Sequence, residues 1–217
     1  MAAKVITDET FRQYGGTDMC VFDSNPEVDA SAPKSYRIRR AMTVQEFIEQ
    51  IASDIKQDPK RLRLWHMVNR QNKTIRPDLP IMDTKPTVEE IFSRATGTRD
   101  NALRVWVELA EEIDESGEPV WPSYQSQLNS ASSKSDTILL LLKHFDTEAQ
   151  TLRGVGHVYV GKEKKVEDLV PLILRKMGWS DKLSPDEKLL LWEVSESCEV
   201  QASSARGLPL TRKSNRP

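Results

Sequence analysis

Cysteines and histidines are the residues of this 217-residue chain that could support nucleophilic or metal chemistry. A cysteine hydrolase needs a thiolate beside an imidazole that a carboxylate or amide orients. Cys20 lies in a predicted loop and Cys198 in a polar tail, and neither lies in a recognisable hydrolase signature. The sequence therefore predicts no catalytic residue. A small cysteine hydrolase using Cys20, or an enzyme subunit, is the alternative.

The three histidines do not have the spacing of a metal site. His66, His144 and His157 all lie in predicted strands, without an i, i+4 pair and without a nearby cysteine. Zinc sites need ligands at short, regular spacings. We expect no metal ion and no cofactor, and structural or exposed roles for these side chains.

The glycine-rich stretch GVGHVYVGK, residues 154–162, is weakly similar to a phosphate-binding loop. Such a loop must present successive backbone N–H groups and lead into the N-terminus of a helix. Here the glycines interrupt an alternating strand, which favours a β-bulge or close backbone packing. The stretch predicts no small-molecule site.

A basic group of side chains is the candidate binding feature. It comes from RLRLW and NRQNKTIRP, and its members are Arg61, Arg63, Arg70, Lys73 and Arg76. Together they could form an exposed face for an acidic protein partner. The alternative, which we favour from sequence alone, is a solvated sheet edge whose charges discourage strand addition.

Composition excludes several classes of partner. The net charge is −2 and the isoelectric point is about 6.0, which argues against a broad nucleic-acid or anionic-membrane surface. The longest apolar run, ILLLL, is far too short to span a membrane, and the N-terminus does not have the pattern of a signal peptide. Two distant cysteines indicate a reducing compartment. We expect a soluble, intracellular protein.

The first block reads as β, β, α, β, short α, β. Thr43 with Glu46, and Thr87 with Glu90, are capping boxes that predict two helix starts. The first helix runs to about Ile55, and the QDP sequence ends it. The predicted strands are KVIT, SYRIRRAM, RLRLWHMV and LRVWVELA; RQNKTIRPDLP is interpreted as a turn-rich connection.

A second block follows a polar linker. Residues 111–136 are acidic and then rich in Ser, Gln and Asn, as linkers are. TILLLLKHFD and TLRGVGHVYVG predict a hairpin, and KLLLWEV predicts a later strand. The helix between them contains Pro171, which predicts an irregular first half, and Gly178, which predicts a left-handed end.

The two blocks repeat one pattern. Val44, Phe47, Ile48, Ile51 and Ile55 match Val166, Leu169, Val170, Ile173 and Met177 at a constant offset, and RLRLW matches KLLLW. Each block lays an apolar helix face over a mixed sheet, so the fold class is α+β. Amphipathic helices often share this spacing by chance, but the matching strands favour a duplication.

Long collinear phrases then identify a family. LRLWHMVNRQNKTIRP, FDTEAQTLRGVGHVYVGKEKKVEDLVPLILRKMGW and EKLLLWEV resemble the C-terminal region of the ubiquitin-specific protease seven family, also called the herpesvirus-associated ubiquitin-specific protease family, in its fungal form. The resemblance covers residues 3–194. It implies tandem ubiquitin-like β-grasp domains, in which the last strand lies between the first and third. It also implies a non-catalytic, partner-binding and regulatory fragment of a deubiquitinating cysteine protease, which binds protein partners.

The sequence departs from the family's pattern, and these departures limit which domains we expect. The catalytic domain is absent, and the family's pattern stops after LLLWEV, before its acidic loop and last strand. We expect a first ubiquitin-like domain at 1–110 with a clipped first strand, a linker at 111–136, a partial second domain at 137–194 and a disordered tail at 195–217. The second block is expected to be marginal, and it receives no partner site. A purely structural spacer is a further alternative.

Overall fold

The computed structural model describes residues 1–25, 27–69, 75–95, 101–122, 137–179, 189–193 and 201–202. The chain divides into two compact units, Met1–Trp121 and Pro122–Pro217. The division falls inside the segment 111–136 that the sequence predicts as a linker. Both units combine helices with strands, which confirms the α+β class.

The first unit is built on a five-stranded mixed sheet with the order β2-β1-β5-β3-β4. Its strands are β1 (Ala2–Ile6), β2 (Lys34–Arg37), β3 (Leu62–Asn69), β4 (Ile75–Pro80) and β5 (Ala102–Leu109). β1 and β5 are parallel, whereas the other neighbours are antiparallel. The last strand therefore lies between the first and the third.

Two capped helices complete this layer. In α2 (Val44–Ile55), the Thr43 hydroxyl accepts from the Glu46 amide at 3.2 Å, and the Glu46 carboxylate accepts from the Thr43 amide at 2.7 Å. α2 ends at Lys56, whose φ is +56°, before the predicted QDP. α3 (Val88–Ala95) begins at the second predicted capping box. The buried apolar face of α2 is made of Val44, Phe47, Ile48, Ile51 and Ala52.

The opposite face of the sheet is covered by the chain between β1 and β2. This connection contains a helix that the sequence analysis missed, α1 (Asp8–Gln13), which begins where the Thr7 hydroxyl accepts from the Thr10 amide at 3.2 Å. Further along, the Lys4 ammonium donates to the Phe22 carbonyl, and the Arg104 guanidinium lies 5.0 Å from the Phe22 ring. The sheet is therefore buried on both faces, and Phe11, Met19, Cys20 and Phe22 are nearly inaccessible.

β4 corrects the prediction of a turn-rich connection. Ile75–Pro80 pairs antiparallel with β3 at one end of the sheet order, where the register shifts between Trp65 and Met67. Its Pro77 and Pro80 suggested a turn, but an edge strand tolerates proline because one side of it needs no N–H donor.

The second unit contains a long antiparallel hairpin. β6 (Thr137–Asp146) pairs with β7 (Thr151–Gly161), and the register shifts where Leu142 faces Gly156 and Lys143 faces Gly154. Val155 is thus the extra residue of a bulge, and Gly156 has a φ of +142°. The predicted bulge is confirmed, and Gly154 and Gly156 flank it within β7.

The helix of the second unit follows the predicted irregular course. A 3₁₀ turn (Val166–Asp168) leads into α4 (Leu169–Met177), and Gly178 ends the helix at φ +66°. A short pair, β8 (Trp192–Glu193) and β9 (Gln201–Ala202), is also present. β8 covers only part of the predicted strand KLLLWEV. No helix among the described residues has the length and apolar character needed to cross a membrane.

Candidate functional site

Arg63, a member of the predicted basic group, is buried in the first unit. Its side chain is 4% exposed, and its Nη2 atom lies 2.7 Å from Oε2 of Glu108, whose side chain is 2% exposed. Arg63 Nε also donates to the same oxygen at 2.9 Å. The two residues are direct cross-strand partners on β3 and β5. Their charges face each other because the strand register places them there.

Two tryptophans enclose the Arg63 guanidinium. Its Cζ atom lies 5.1 Å from the ring centroid of Trp65 and 4.3 Å from that of Trp121. The Trp65 indole N–H donates to Oε2 of Glu108 at 2.5 Å. We call these four side chains, Arg63, Trp65, Glu108 and Trp121, the Arg63 cluster. The cluster is an internal polar network on an inner strand, so Arg63 belongs neither to an exposed basic face nor to a solvated sheet edge, the two interpretations of the sequence.

The other members of the basic group are less buried but also bind within the unit. Arg61 Nη2 donates to the Ala110 carbonyl at 2.8 Å. Arg76 Nη1 lies 2.9 Å from Oδ1 of Asp18, and both side chains are mostly buried. This second pair ties β4 to the connection between β1 and β2. Arg61, Arg63 and Arg76 thus all contribute to the fold.

Arg70 and Lys73 lie outside the described residues, so the structure gives no information on their surroundings. A partner-binding role for them stays a prediction.

Cys20 lies in a chemical environment that disfavours a nucleophile. The residue is 4% exposed, and burial, with a smaller effect from the Asp18 carboxylate, raises the pKa of its thiol to about 12. Arg104 and Lys4 act in the opposite direction but do not offset the burial. The thiol is therefore protonated near neutral pH, and the thiolate that a cysteine hydrolase requires is scarce.

The histidines occupy structural positions in the strands. His157 is 4% exposed, and its ring meets that of Tyr159 edge-on at 5.7 Å. His144 contacts the Trp179 ring at 5.4 Å. Within the described part of the chain, no group of three or more His, Cys, Asp or Glu residues is arranged to hold a metal ion.

Sequence reasoning missed the acidic member of the cluster. Glu108 is a lone charge within the apolar run VWVEL, just as Arg63 is the lone arginine within LRLWHMV. A pair of opposite charges in two otherwise apolar strands is the signal that could have found the pair. Trp121 is a tryptophan within the polar segment, which by itself indicates docking against a neighbouring block.

Residues 62–206 match the family described as the ICP0-binding domain of Ubiquitin-specific protease 7. This range is well over half of the chain and contains the whole Arg63 cluster. The chain belongs to the ubiquitin-specific protease 7 family. The match starts at β3 and ends at residue 206, so the family likeness continues into the segment 195–217, for which we predicted none.

Curated relatives agree with membership of the ubiquitin-specific protease 7 family. The chain is 26% identical to ubiquitin carboxyl-terminal hydrolase 15 of Schizosaccharomyces pombe, over 82% of the chain and 15% of that relative. It is 28% identical to ubiquitin C-terminal hydrolase 13 of Arabidopsis thaliana, over 88% of the chain and 16% of the relative. It is 22% identical to ubiquitin carboxyl-terminal hydrolase 7 of Drosophila melanogaster, over 74% of the chain and 12% of that relative. The chain thus spans under a fifth of their lengths.

Proposed function

We propose that this chain is a non-catalytic, partner-binding and regulatory ubiquitin-like region of a deubiquitinating cysteine protease. The observation that carries the proposal is the match across residues 62–206, because the matched family is described as a binding domain of such a protease. The named relatives are ubiquitin hydrolases, and the chain corresponds to only 12% to 16% of their lengths. Its partners are proteins that the protease binds, in the nucleus and/or the cytoplasm.

The topology of the first unit supports a ubiquitin-like fold. Its last strand, β5, lies parallel to β1 and between β1 and β3, and α2 packs across the sheet. The second unit repeats the start of this pattern with a hairpin followed by a helix. These features support tandem ubiquitin-like domains, of which the second is partial.

The environment of Cys20 supports a non-catalytic role. A nucleophilic cysteine is usually accessible and has a lowered pKa, whereas Cys20 is buried and its pKa is raised to about 12. The small-hydrolase alternative would need this region to open before it could react.

A ubiquitin vinyl-sulfone probe tests the non-catalytic assignment. The full chain and its Cys20→Ser variant are incubated with the probe, and adducts are measured by intact mass. We expect no adduct that depends on Cys20, because its thiol is buried and protonated. An adduct that forms on the wild type and is lost in Cys20→Ser would contradict the proposal.

Charge reversal at the remaining basic residues tests partner binding. Crosslinking pull-downs compare the wild type with Arg70→Glu/Lys73→Glu and with a matched control, Arg37→Glu/Arg39→Glu, whose side chains are exposed on and after β2. The two double variants change the net charge equally. We expect a partner to be lost only from the Arg70/Lys73 variant.

The internal bonding of Arg61, Arg63 and Arg76 favours the structural spacer as the second candidate function, since these residues serve the fold. The same pull-downs separate the two proposals. Identical sets of crosslinked proteins from the wild type and both variants would favour the spacer.

A further inference from the structure

Residues 111–121 form a compact turn that we call the acidic hairpin. The Asp114 amide donates to the Glu118 carbonyl at 2.9 Å, and the Val120 amide donates to the Glu112 carbonyl at 3.0 Å. The Asp114 carboxylate closes the turn by accepting from the amides of Ser116 and Glu118, both at 2.9 Å. The hairpin is therefore organised by its own backbone.

The acidic hairpin buries little of itself against the sheet. All side chains from 111 to 118 are exposed, including that of Ile113 at 41%. At its start, the Ala110 amide donates to the Arg61 carbonyl at 2.8 Å. The ion pair between Lys60 and Glu118 spans 3.4 Å, and both side chains are more than half exposed, so it adds little. At its far end, Pro119, Val120 and Trp121 are half-buried, and Trp121 packs against the Arg63 guanidinium.

Trp121 meets a cation that the rest of the cluster already holds in place. Arg63 cannot change rotamer without losing its two bonds to Glu108, and Trp65 is bonded to the same carboxylate. An indole ring 4.3 Å from a desolvated guanidinium is attracted to it by the ring quadrupole. The receiving surface is thus preorganised, and Trp121 alone must be ordered to bind it.

We propose that Trp121 is a latch that reversibly fastens the acidic hairpin onto the Arg63 cluster. Because the hairpin contributes no buried side chain between 111 and 118, it opens as a local unit while the sheet stays folded. Trp121 is also the last residue of the first unit. The latch therefore sets the point from which the chain leaves that unit, and its opening releases the acidic segment.

Backbone hydrogen exchange, followed by NMR on the full chain, tests the latch. The variants are Trp121→Ala, Trp121→Phe and the control Ile113→Ala, which removes an exposed apolar side chain from the same hairpin. In Trp121→Ala we expect the Val120 and Asp114 amides to exchange about tenfold faster, while the Val105 amide in β5 is unchanged. Trp121→Phe should give an intermediate rate, and Ile113→Ala the wild-type rate.

The side-chain resonance of Arg63 gives a second readout. Its Nε–H group stays protected in Trp121→Ala because Glu108 still accepts its hydrogen bond, but its chemical shift changes when the indole ring current is lost. Three results would each overturn the latch: unchanged exchange at Val120 in Trp121→Ala, an equal acceleration at Val105, or an Ile113→Ala variant that matches Trp121→Ala.

Discussion

The Arg63 cluster shows how single charged residues are retained inside an apolar sheet. Taking an arginine and a glutamate out of water costs several kcal/mol for each ion, and their attraction offsets this only with good geometry. Glu108 Oε2 accepts from both Arg63 and Trp65, which supplies that geometry. Slippage of β3 against β5 would therefore leave both charges buried and apart, which disfavours other registers.

Breaking the Arg63–Glu108 pair should destabilise the first unit strongly. We expect Glu108→Leu to lower the free energy of unfolding by about 3–5 kcal/mol, because Arg63 is left buried and unpaired. The double variant Arg63→Met/Glu108→Leu should recover most of the loss, because no charge stays buried. Exchange of β5 amides measures both effects.

An exposed pair in the same unit provides the control for that comparison. Glu118→Ala, which removes the partner of Lys60, should cost under about 1 kcal/mol because solvent screens the pair. A double variant at Arg63 and Glu108 that is no more stable than Glu108→Leu would contradict this account of the cluster.

Cys20 should make stability depend on pH in the alkaline range. The pKa of the thiol is raised from 9.0 to about 12 by burial, so above pH 9 the unfolded chain loses a proton that the folded chain keeps. Stability therefore falls as pH rises. Between pH 8.5 and 10, the free energy of unfolding should fall by about 1 kcal/mol more in the wild type than in Cys20→Ala, as measured by denaturation. Equal slopes would mean that the thiol is not buried.

At the scale of elements, helices that begin at a local capping pattern were predicted, whereas a strand that depends on long-range pairing was missed. The capping boxes at Thr43 and Thr87 act within four residues, and both helices begin where they predict. α1 also has a capping residue, Thr7, but its single turn and a half carries no apolar repeat that would separate it from a loop. β4 was missed because its prolines are acceptable only at an edge, and pairing decides which strand is the edge.

The bulge of the β6–β7 hairpin should require glycine at position 156. Asparagine tolerates left-handed backbone near φ +60° but not φ +142°, the value at Gly156. An added Cβ at Gly156 or Gly178 meets no atom within 4 Å, so only backbone strain differs. We expect Gly156→Asn to destabilise the hairpin by about 1–3 kcal/mol and Gly178→Asn by less than about 1 kcal/mol.

Exchange of the Val158 and Val160 amides measures both asparagine variants. Equal effects would indicate that the bulge relaxes its φ when the side chain is added.

For the whole molecule, the two units differ in how completely their strands are buried. In the first unit, Ala3 and Val5 of β1 and Val105 of β5 are fully buried, because both are inner strands and α2 covers this face. In the second, no residue of β6 is buried, and Ile138 and Phe145 are 42% and 50% exposed. Among the described residues of that unit, the buried apolar side chains are Val158, Val160, Ile173 and Leu174.

The second unit should therefore unfold before the first. Apolar burial is the main source of stability and scales with the area removed from water, so the smaller buried set gives the lower stability. During chemical denaturation of the full chain, β7 amides should lose protection at lower denaturant than β5 amides. The reverse order would contradict the expectation that the second unit is the marginal one.

By itself, the sequence determined the α+β class, the capped helices α2 and α3, the hairpin with its bulge, and the family. Each of these depends on neighbours within a turn or along a strand, or on long collinear phrases. Only the tertiary structure decided that Arg63 is buried, because its partners, Glu108 and Trp121, come from distant segments. Such a contact has no local periodicity, since it depends on strand register and on which face of the sheet the intervening chain covers.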